Sequence, residues 1–402
     1  MVTVREHYEV FPYPARDPAE ERHRLITGSP SHPLEMDHIL WGGQRDWNRP
    51  LRILVAGGGT GDGLIQLAQT LTDAGRAYDI TYLDLSTASR ALAEARAQMR
   101  GLGNITFHTA SLLEAAEFGR FDYIDCCGVL HHLPDPPAGF RALRAALAPG
   151  GGLGFMVYAP YGRSGVYPLQ EAFAALFQGL PPGERLIRAR QIVADLPEGH
   201  PFRANRNLND HLTSEAGFYD LLLHAQDRAY DVPQLLDVLA ETGWQLAGFA
   251  TPALYDLSRL TEVPEGMDPV TRMTLAEKLR GTIRVHTGYA VAQGSPAAKA
   301  SPATRALIPH LRGAPAARLA QLVAQGHAIP VTLGGRPEPV TLPRAAAPLL
   351  AAIDGRRSLG QIAQASGRDP IAFGTLWASV HAALEPCGLL VYSALLTAAA
   401  VS

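Results

Sequence analysis

Lysine is almost absent from this chain: Lys278 and Lys299 stand alone among basic residues that are otherwise arginine. A phosphate-binding loop of the G-x-x-x-x-G-K-[ST] kind needs a lysine beside its glycines, and none lies near the glycine-rich stretch at 57–63. Cysteine is scarce too. Three residues, two of them adjacent at Cys126 and Cys127, cannot build a disulfide scaffold and point to a reducing compartment. No uncharged apolar run of about 18 residues occurs, and MVTVREHYEV at the start has no apolar signal region, so the expectation is a cytoplasmic protein without membrane attachment. There is no surplus of positive charge: the net charge is −3, which gives no general attraction to nucleic acid or to a membrane surface. A length of 402 residues with mean hydropathy near zero leaves room for two globular domains.

What the chain does have is LRILVAGGGTGDG at 51–63, followed by LIQLAQTL. Leu51, Ile53, Leu54 and Val55 read as a short strand buried on both faces, and the segment after the glycines reads as a helix. A strand that turns through glycines into a helix brings bare backbone N–H groups close to a ligand. The register excludes the dinucleotide fingerprint G-x-G-x-x-G, because its third glycine position falls on Asp62 or Leu64. G-x-G-x-G fits at Gly57, Gly59 and Gly61.

Strand and helix then alternate. DITYLDLS (79–86) reads as a strand leading to a helix that Ser86 or Thr87 caps; NITFHTAS (104–111) and FDYIDCCGVL (121–130) read as strands. AGFRALRAALA (138–148) reads as a helix ended by Pro149 and Gly150–Gly152, before the strand LGFMVY (153–158). WQLAGFA (244–250) and TIRVHTGYAVA (282–292) complete the series as an antiparallel pair. Such alternation predicts an α/β fold with a mainly parallel sheet, and a ligand at the carboxyl ends of its strands.

Four pieces in this order resemble class I S-adenosylmethionine-dependent methyltransferases over about residues 50–293: VAGGGTG, YLDLS, FDYIDCCGVLHHLPDP and LAPGGGLGFMVY. The resemblance implies a Rossmann-like seven-stranded sheet, with S-adenosylmethionine as methyl donor and S-adenosylhomocysteine as product. It implies that Gly57, Gly58, Gly59, Thr60 and Gly61 pack against the donor's methionine part and that Asp84 accepts the ribose hydroxyls. Leu85, Ser111, Leu112, Gly128 and Val129 are the further donor contacts it implies. Asp84 stands 23 residues past Gly61, a separation that suits a carboxylate–diol contact on physical grounds; its other reading is a charge at a helix N-terminus. Two positions depart from the family: Val55 replaces the acidic residue often found two places before the first glycine, and Ala110–Ser111 replaces the Asp often found near the adenine amino group.

His131 and His132 follow the fourth strand, and either a catalytic base or packing around the donor accounts for them. Tyr158 is a further catalytic candidate. Adjacent histidines on an extended chain point opposite ways and have no partner at metal spacing here, so no metal site is expected. Residues 1–49, aromatic and Pro-rich, are expected to form an arm across the core, in which Tyr8, Phe11 and Tyr13 either cover a substrate pocket or anchor the arm. Residues 159–242 are expected to form a helical lid over the carboxyl edge, with Arg163, His224, Arg228 and Tyr230 as substrate contacts. Arg228 either grips a carboxylate or phosphate or, with Asp227, ties the lid to the core.

Residues 294–304 read as a linker, and 305–402 as a separate unit with a hairpin turning at Gly334 and Gly335, three helical stretches and a closing strand. LLAAIDGRRSLGQIAQ resembles the winged-helix-like C-terminal module of bacterial protein-lysine methyltransferases. Its sparse basic residues disfavour DNA and favour protein contact, a homodimer included. The expected function is methyl transfer to an oxygen or nitrogen of a protein side chain or a small metabolite. The alternative is a non-catalytic protein that binds S-adenosylmethionine or a partner.

Overall fold

A computed structural model describes residues 4–28, 30–296 and 299–397. The last residues expected in the C-terminal unit, 398–402, and the first three of the arm lie outside the described residues. Seven strands form one sheet: β1 (Leu51–Ala56), β2 (Tyr78–Asp84), β3 (Ile105–Thr109), β4 (Phe121–Cys127), β5 (Leu147–Tyr158), β6 (Trp244–Phe249) and β7 (Val285–Ala292). Their order is β3-β2-β1-β4-β5-β7-β6, with β7 antiparallel to both of its neighbours and the rest parallel. The Rossmann-like seven-stranded sheet expected from the sequence is therefore present. Ile53, Leu54 and Val55 of β1 are buried, as a central strand covered on both faces requires. From β1 the chain winds outward to β3 and then returns to β4 on the other side. That reversal opens a crevice at the carboxyl ends of β1 and β4.

Helices cover both faces. Short α1 (Val4–Val10) ends before Pro12, and α2 (Pro33–Leu40) follows the arm. α3 (Asp62–Asp73) follows Gly61, which holds φ 100°. α4 (Thr87–Met99) starts at Ser86, whose side chain accepts the Ser89 N–H. α5 (Pro136–Ala146) stops earlier than the Pro-Gly-Gly-Gly run suggests, because β5 already starts at Leu147 and carries those glycines in its first half. A Cβ on Gly152 would meet the Leu40 side chain at 2.5 Å, so the bare backbone lets α2 pack against the sheet. This makes the second half of the expected arm part of the core: Met36, Ile39 and Leu40 of α2 are buried.

The lid region holds α6 (Val166–Leu176), α7 (Pro182–Ala194) and a helix at Glu215–Leu222, packed around Phe173, Phe202 and Phe218. Beyond the sheet, helices at Ala316–Gln325, Leu359–Ala365 and Pro370–Leu384 enclose Leu350, Phe373 and Trp377. The hairpin with Gly334 and Gly335 is present, and the strand Leu390–Tyr392 pairs with Pro309–Leu311, a strand with no clear sequence signal. This unit is fastened to α2. Asp37 accepts the Ser393 hydroxyl at 2.7 Å and the Ala394 N–H at 3.0 Å. Between the two, the stretch read as a linker is partly built in, since Ala300 is buried and donates its N–H to His38.

One buried arginine ties the arm to the sheet. Arg96 of α4 donates to Glu21 of the arm, to the Thr60 carbonyl in the glycine turn and to Asp62 at the start of α3, each at 2.7 Å. Arg16 adds a two-pronged contact to Asp62, and Arg100 a second contact to Glu21. Replacing one partner of a buried pair leaves the other charges undercompensated, at a cost of about 3 kcal/mol or more. Arg96→Leu is expected to lower unfolding free energy by about 3 kcal/mol in urea titration; a loss below about 1 kcal/mol would show that Arg16 and Arg100 suffice.

Candidate functional site

A cavity of about 430 Å³ opens at the carboxyl ends of β1, β2 and β4. Its floor is the glycine turn, Gly57, Gly58 and Gly59, with Asp84 and Leu85 on one side and Asp125, Gly128 and Val129 on the other. Gly57 takes φ 71° and Gly59 φ 51°, backbone that favours glycine. At Gly58 the reason is space: a Cβ would meet the Tyr82 ring at 2.2 Å, and the same tyrosine's hydroxyl donates to the Gly59 carbonyl at 2.5 Å. The turn is thus held against β2 and presents unadorned backbone to the cavity.

Asp84 closes that arrangement. Its two oxygens accept the N–H groups of Gly59 and Ser86, both at 2.8 Å. Burial pushes its carboxyl above the usual range, opposed by those two backbone donors. Ser111 and Leu112, after β3, line the adjoining wall, with Leu133 facing them. The roof comes from the arm: Tyr8, Tyr13, Pro14, Arg16 and the stretch 26–28 all reach the cavity. Thr60 and Gly61 do not line it. Thr60 donates its hydroxyl to the Pro14 carbonyl at 2.8 Å, and Gly61 packs against Ala93 of α4, so both act by holding the turn and the arm together.

The end away from Asp84 is built by aromatic and acidic side chains. His132, Tyr158 and Asp220 line it together with the arm tyrosines. Asp220, buried on the lid helix Glu215–Leu222, accepts the hydroxyls of Tyr8 at 3.0 Å and Tyr158 at 3.2 Å. Burial drives its carboxyl up to about 7; the Tyr8 bond opposes that rise and the nearby Asp227 adds to it. His132 bonds through Nδ1 to the Gln226 carbonyl at 2.9 Å. A carbonyl only accepts, so Nδ1 carries the proton and Nε2 the lone pair. His224 stacks on His132 with ring centroids 3.7 Å apart, and its Nδ1 accepts the Gln226 N–H.

Residues 54–153 match the family described as a methyltransferase domain. Over that stretch the chain is similar to methyltransferase domains. An uncharacterized protein of Synechococcus sp. is 36% identical over 216 residues, 52% of this chain and 51% of its own length. A ubiquinone biosynthesis O-methyltransferase of Acinetobacter baumannii is 30% identical over 95 residues, 23% of this chain and 38% of its own length. The chain thus spans about half or less of the curated relatives it matches. Among solved structures, PKMT2 from Rickettsia typhi superposes with a TM-score of 0.63 at 16% identity, over 92% of this chain and 77% of that one. The same protein in complex with AdoHcy gives 0.60 at 14% identity, with the same coverage. At these identities the likeness concerns the fold.

S-adenosylmethionine is the methyl donor of this domain class, and the cavity's residues fit it. The volume suits a molecule of that size. The bare glycine turn leaves room for close backbone approach, Asp84 offers carboxylate oxygens to a diol, and Leu85, Leu112, Val129 and Leu133 offer an apolar wall to a flat ring. Of the expected donor contacts, Gly57–Gly59, Asp84, Leu85, Ser111, Leu112, Gly128 and Val129 meet at this one cavity.

Other expected positions stand elsewhere. Arg163 is buried behind the cavity, 2.9 Å from Asp227 and with its guanidinium carbon 3.6 Å from the Tyr158 ring centroid. Arg228 is exposed, its guanidinium over the Tyr230 ring, and Tyr230 lies in the core; neither lines the cavity. His224 sits one layer back, behind His132 and 3.3 Å from the Tyr8 hydroxyl. His131 is fully buried, its ring centroid 3.9 Å from that of Tyr158, and burial holds its imidazole well below the usual range.

The histidine pair needs a correction. The two rings do not point opposite ways but lie 4.1 Å apart, because Leu130–His132 is a tight 3-10 turn rather than extended chain. His132 also gains metal-spaced partners through the fold, with ligand atoms of Asp220 and His224 within 4.8 Å. The hydrogen bonds commit those groups otherwise, since the Gln226 N–H on Nδ1 of His224 leaves its proton on Nε2. Asp220 and Asp125 escaped sequence reasoning: each lies inside an apolar-looking helix or strand, and only the buried carboxylate in that context hinted at them.

A carboxyl raised to about 7 in the fold and near 3.9 in the unfolded chain costs stability as pH rises between those values, because the native state binds the extra proton. Asp220→Asn removes that cost. Urea midpoints of the variant relative to wild type are expected to improve steadily from pH 4.5 to pH 7.5; a pH-independent difference would place the proton elsewhere.

Proposed function

We propose that this protein is an S-adenosylmethionine-dependent methyltransferase that transfers the methyl group to an oxygen or nitrogen acceptor seated among Tyr13, His132, Tyr158 and Asp220. The observation that carries this reading is the two-ended cavity: backbone and diol-type acceptors at the glycine turn, and a base with aromatic walls at the other end. When bound, S-adenosylmethionine supplies an electrophilic methyl group on a sulfonium whose sulfur leaves as a thioether. Asp84 takes the ribose hydroxyls with the oxygen capacity left after its two backbone bonds. The arm, held by Arg16 and Thr60, covers the cavity and excludes water, which favours the nucleophile by stripping its hydration.

His132 is proposed as the base that receives the acceptor's proton at Nε2, its tautomer set by the Gln226 carbonyl. Tyr8 and Tyr158, both donating to Asp220, orient the acceptor end. The similarity of the fold to PKMT2 and of the core to a ubiquinone biosynthesis O-methyltransferase supports methyl transfer and leaves a protein side chain and a small metabolite both eligible as acceptor. Transfer of labelled methyl groups from S-adenosylmethionine into fractionated lysate would decide between them, and label in neither fraction would count against an enzyme.

Asp84→Ala is expected to weaken S-adenosylhomocysteine binding at least tenfold, about 1.4 kcal/mol, by calorimetry; unchanged affinity would misplace the ribose. His132→Ala is expected to lower kcat about 100-fold with donor affinity kept, as read by steady-state kinetics and calorimetry. A loss below about threefold would assign the base to another group.

A further inference from the structure

Four carboxylates line the cavity, and the fold treats them differently: Asp62 is paired with Arg16 and Arg96. Asp84 is satisfied by two backbone N–H groups and Asp220 by two phenols. Asp125, near the carboxyl end of β4, receives one hydrogen bond among the described residues, from the Ser31 hydroxyl. It is 3% exposed, and no basic side chain among the described residues pairs with it. A buried carboxylate with a single neutral donor is a costly feature unless a cation completes it. Burial accordingly raises its carboxyl to about 6.

Its register says which cation. Asp125 pairs with Val55 across the parallel β1–β4 ladder, so the two side chains share a face. Val55 is the position, two before Gly57, that stands apolar in this chain. Asp84 lies on the opposite flank of the glycine turn, on β2, one strand beyond β1. Two strand spacings, roughly 10 Å, therefore separate the strands that carry the two carboxylates. A methyl donor laid across the turn with its ribose at Asp84 brings its amino-acid end toward β4.

We propose that Asp125 holds the α-ammonium group of the donor's methionine portion, supplying from β4 the charge that β1 lacks; the assignment rests on the donor-site reading above. Ser31 positions the carboxylate, which links the arm's entry into α2 to occupancy of the cavity.

The test compares S-adenosylhomocysteine with 5′-methylthioadenosine, which keeps the adenosine and sulfur but has no amino-acid end. In the full chain, Asp125→Asn is expected to weaken S-adenosylhomocysteine at least tenfold in calorimetry and 5′-methylthioadenosine less than twofold. Equal losses for both, or no loss for either, would overturn the assignment while leaving the donor site in place. Failure of the wild-type chain to bind either compound would overturn the donor-site reading, and this assignment with it. A second measurement needs no variant: wild-type affinity for S-adenosylhomocysteine is expected to fall below about pH 6, with no matching step for 5′-methylthioadenosine. Tyr123 and Tyr289 also lie near Asp125, and Cys126 adjoins it on the other face of β4; burial pushes both phenols and the Cys126 thiol up, so these groups stay neutral in that range. Asp84 and Asp220 act on both compounds and cancel in the comparison. Parallel pH curves would overturn the assignment.

Discussion

The guanidinium of Arg96 is the constraint on which the covered cavity depends. It is fully buried, and it satisfies at once an arm carboxylate, a carbonyl of the glycine turn and the first carboxylate of α3. A planar, permanently charged fork is the side chain that can serve three acceptors from one buried point; a lysine would offer a single flexible charge. Because the turn and the arm share this donor, the floor and the roof of the cavity are not independent. Whatever displaces the arm also loosens the carbonyl next to the turn.

Within the cavity, specificity of chemistry comes from how each carboxylate is satisfied rather than from the presence of acid as such. Backbone donors satisfy Asp84, burial keeps Asp220 near its protonated state against two phenols that donate to it, and a lone hydroxyl leaves Asp125 short of compensation. The low dielectric of the site magnifies those differences. The aromatic stack of His131, His132, His224 and Tyr158 completes the contrast, with one imidazole at the cavity and the others behind it. The layering explains why a run of two histidines yields one reactive candidate and one packed ring.

Much of the fold was legible because alternating strands and helices repeat signals that local physics produces. Ser86 begins a helix as a side-chain cap, and Leu51, Ile53, Leu54 and Val55 of β1 are apolar because both faces of the sheet are covered there. The end of α5 was less legible: proline and glycines usually stop helices and interrupt strands, yet here β5 runs through them because Leu40 of α2 occupies the space a side chain would need. The arm was half legible, since Pro12, Pro14 and Pro18 forbid a long helix but say nothing of Met36, Ile39 and Leu40 entering the core.

By itself the sequence determined the strand–glycine–helix unit and the sheet it belongs to, and it singled out Gly57–Gly59 and Asp84, which meet at the cavity, because the unit and the sheet depend on short-range backbone geometry and on spacing along one chain. Tertiary structure alone decided the rest of the cavity. It brought Tyr8 to Asp220 across 212 positions, turned the histidine pair inward, withdrew Arg163 and Tyr230 from the cavity, and set Asp125 beside Val55. The reason is physical: burial and hydrogen-bond satisfaction are properties of neighbours in space, and a side chain's sequence context does not name them.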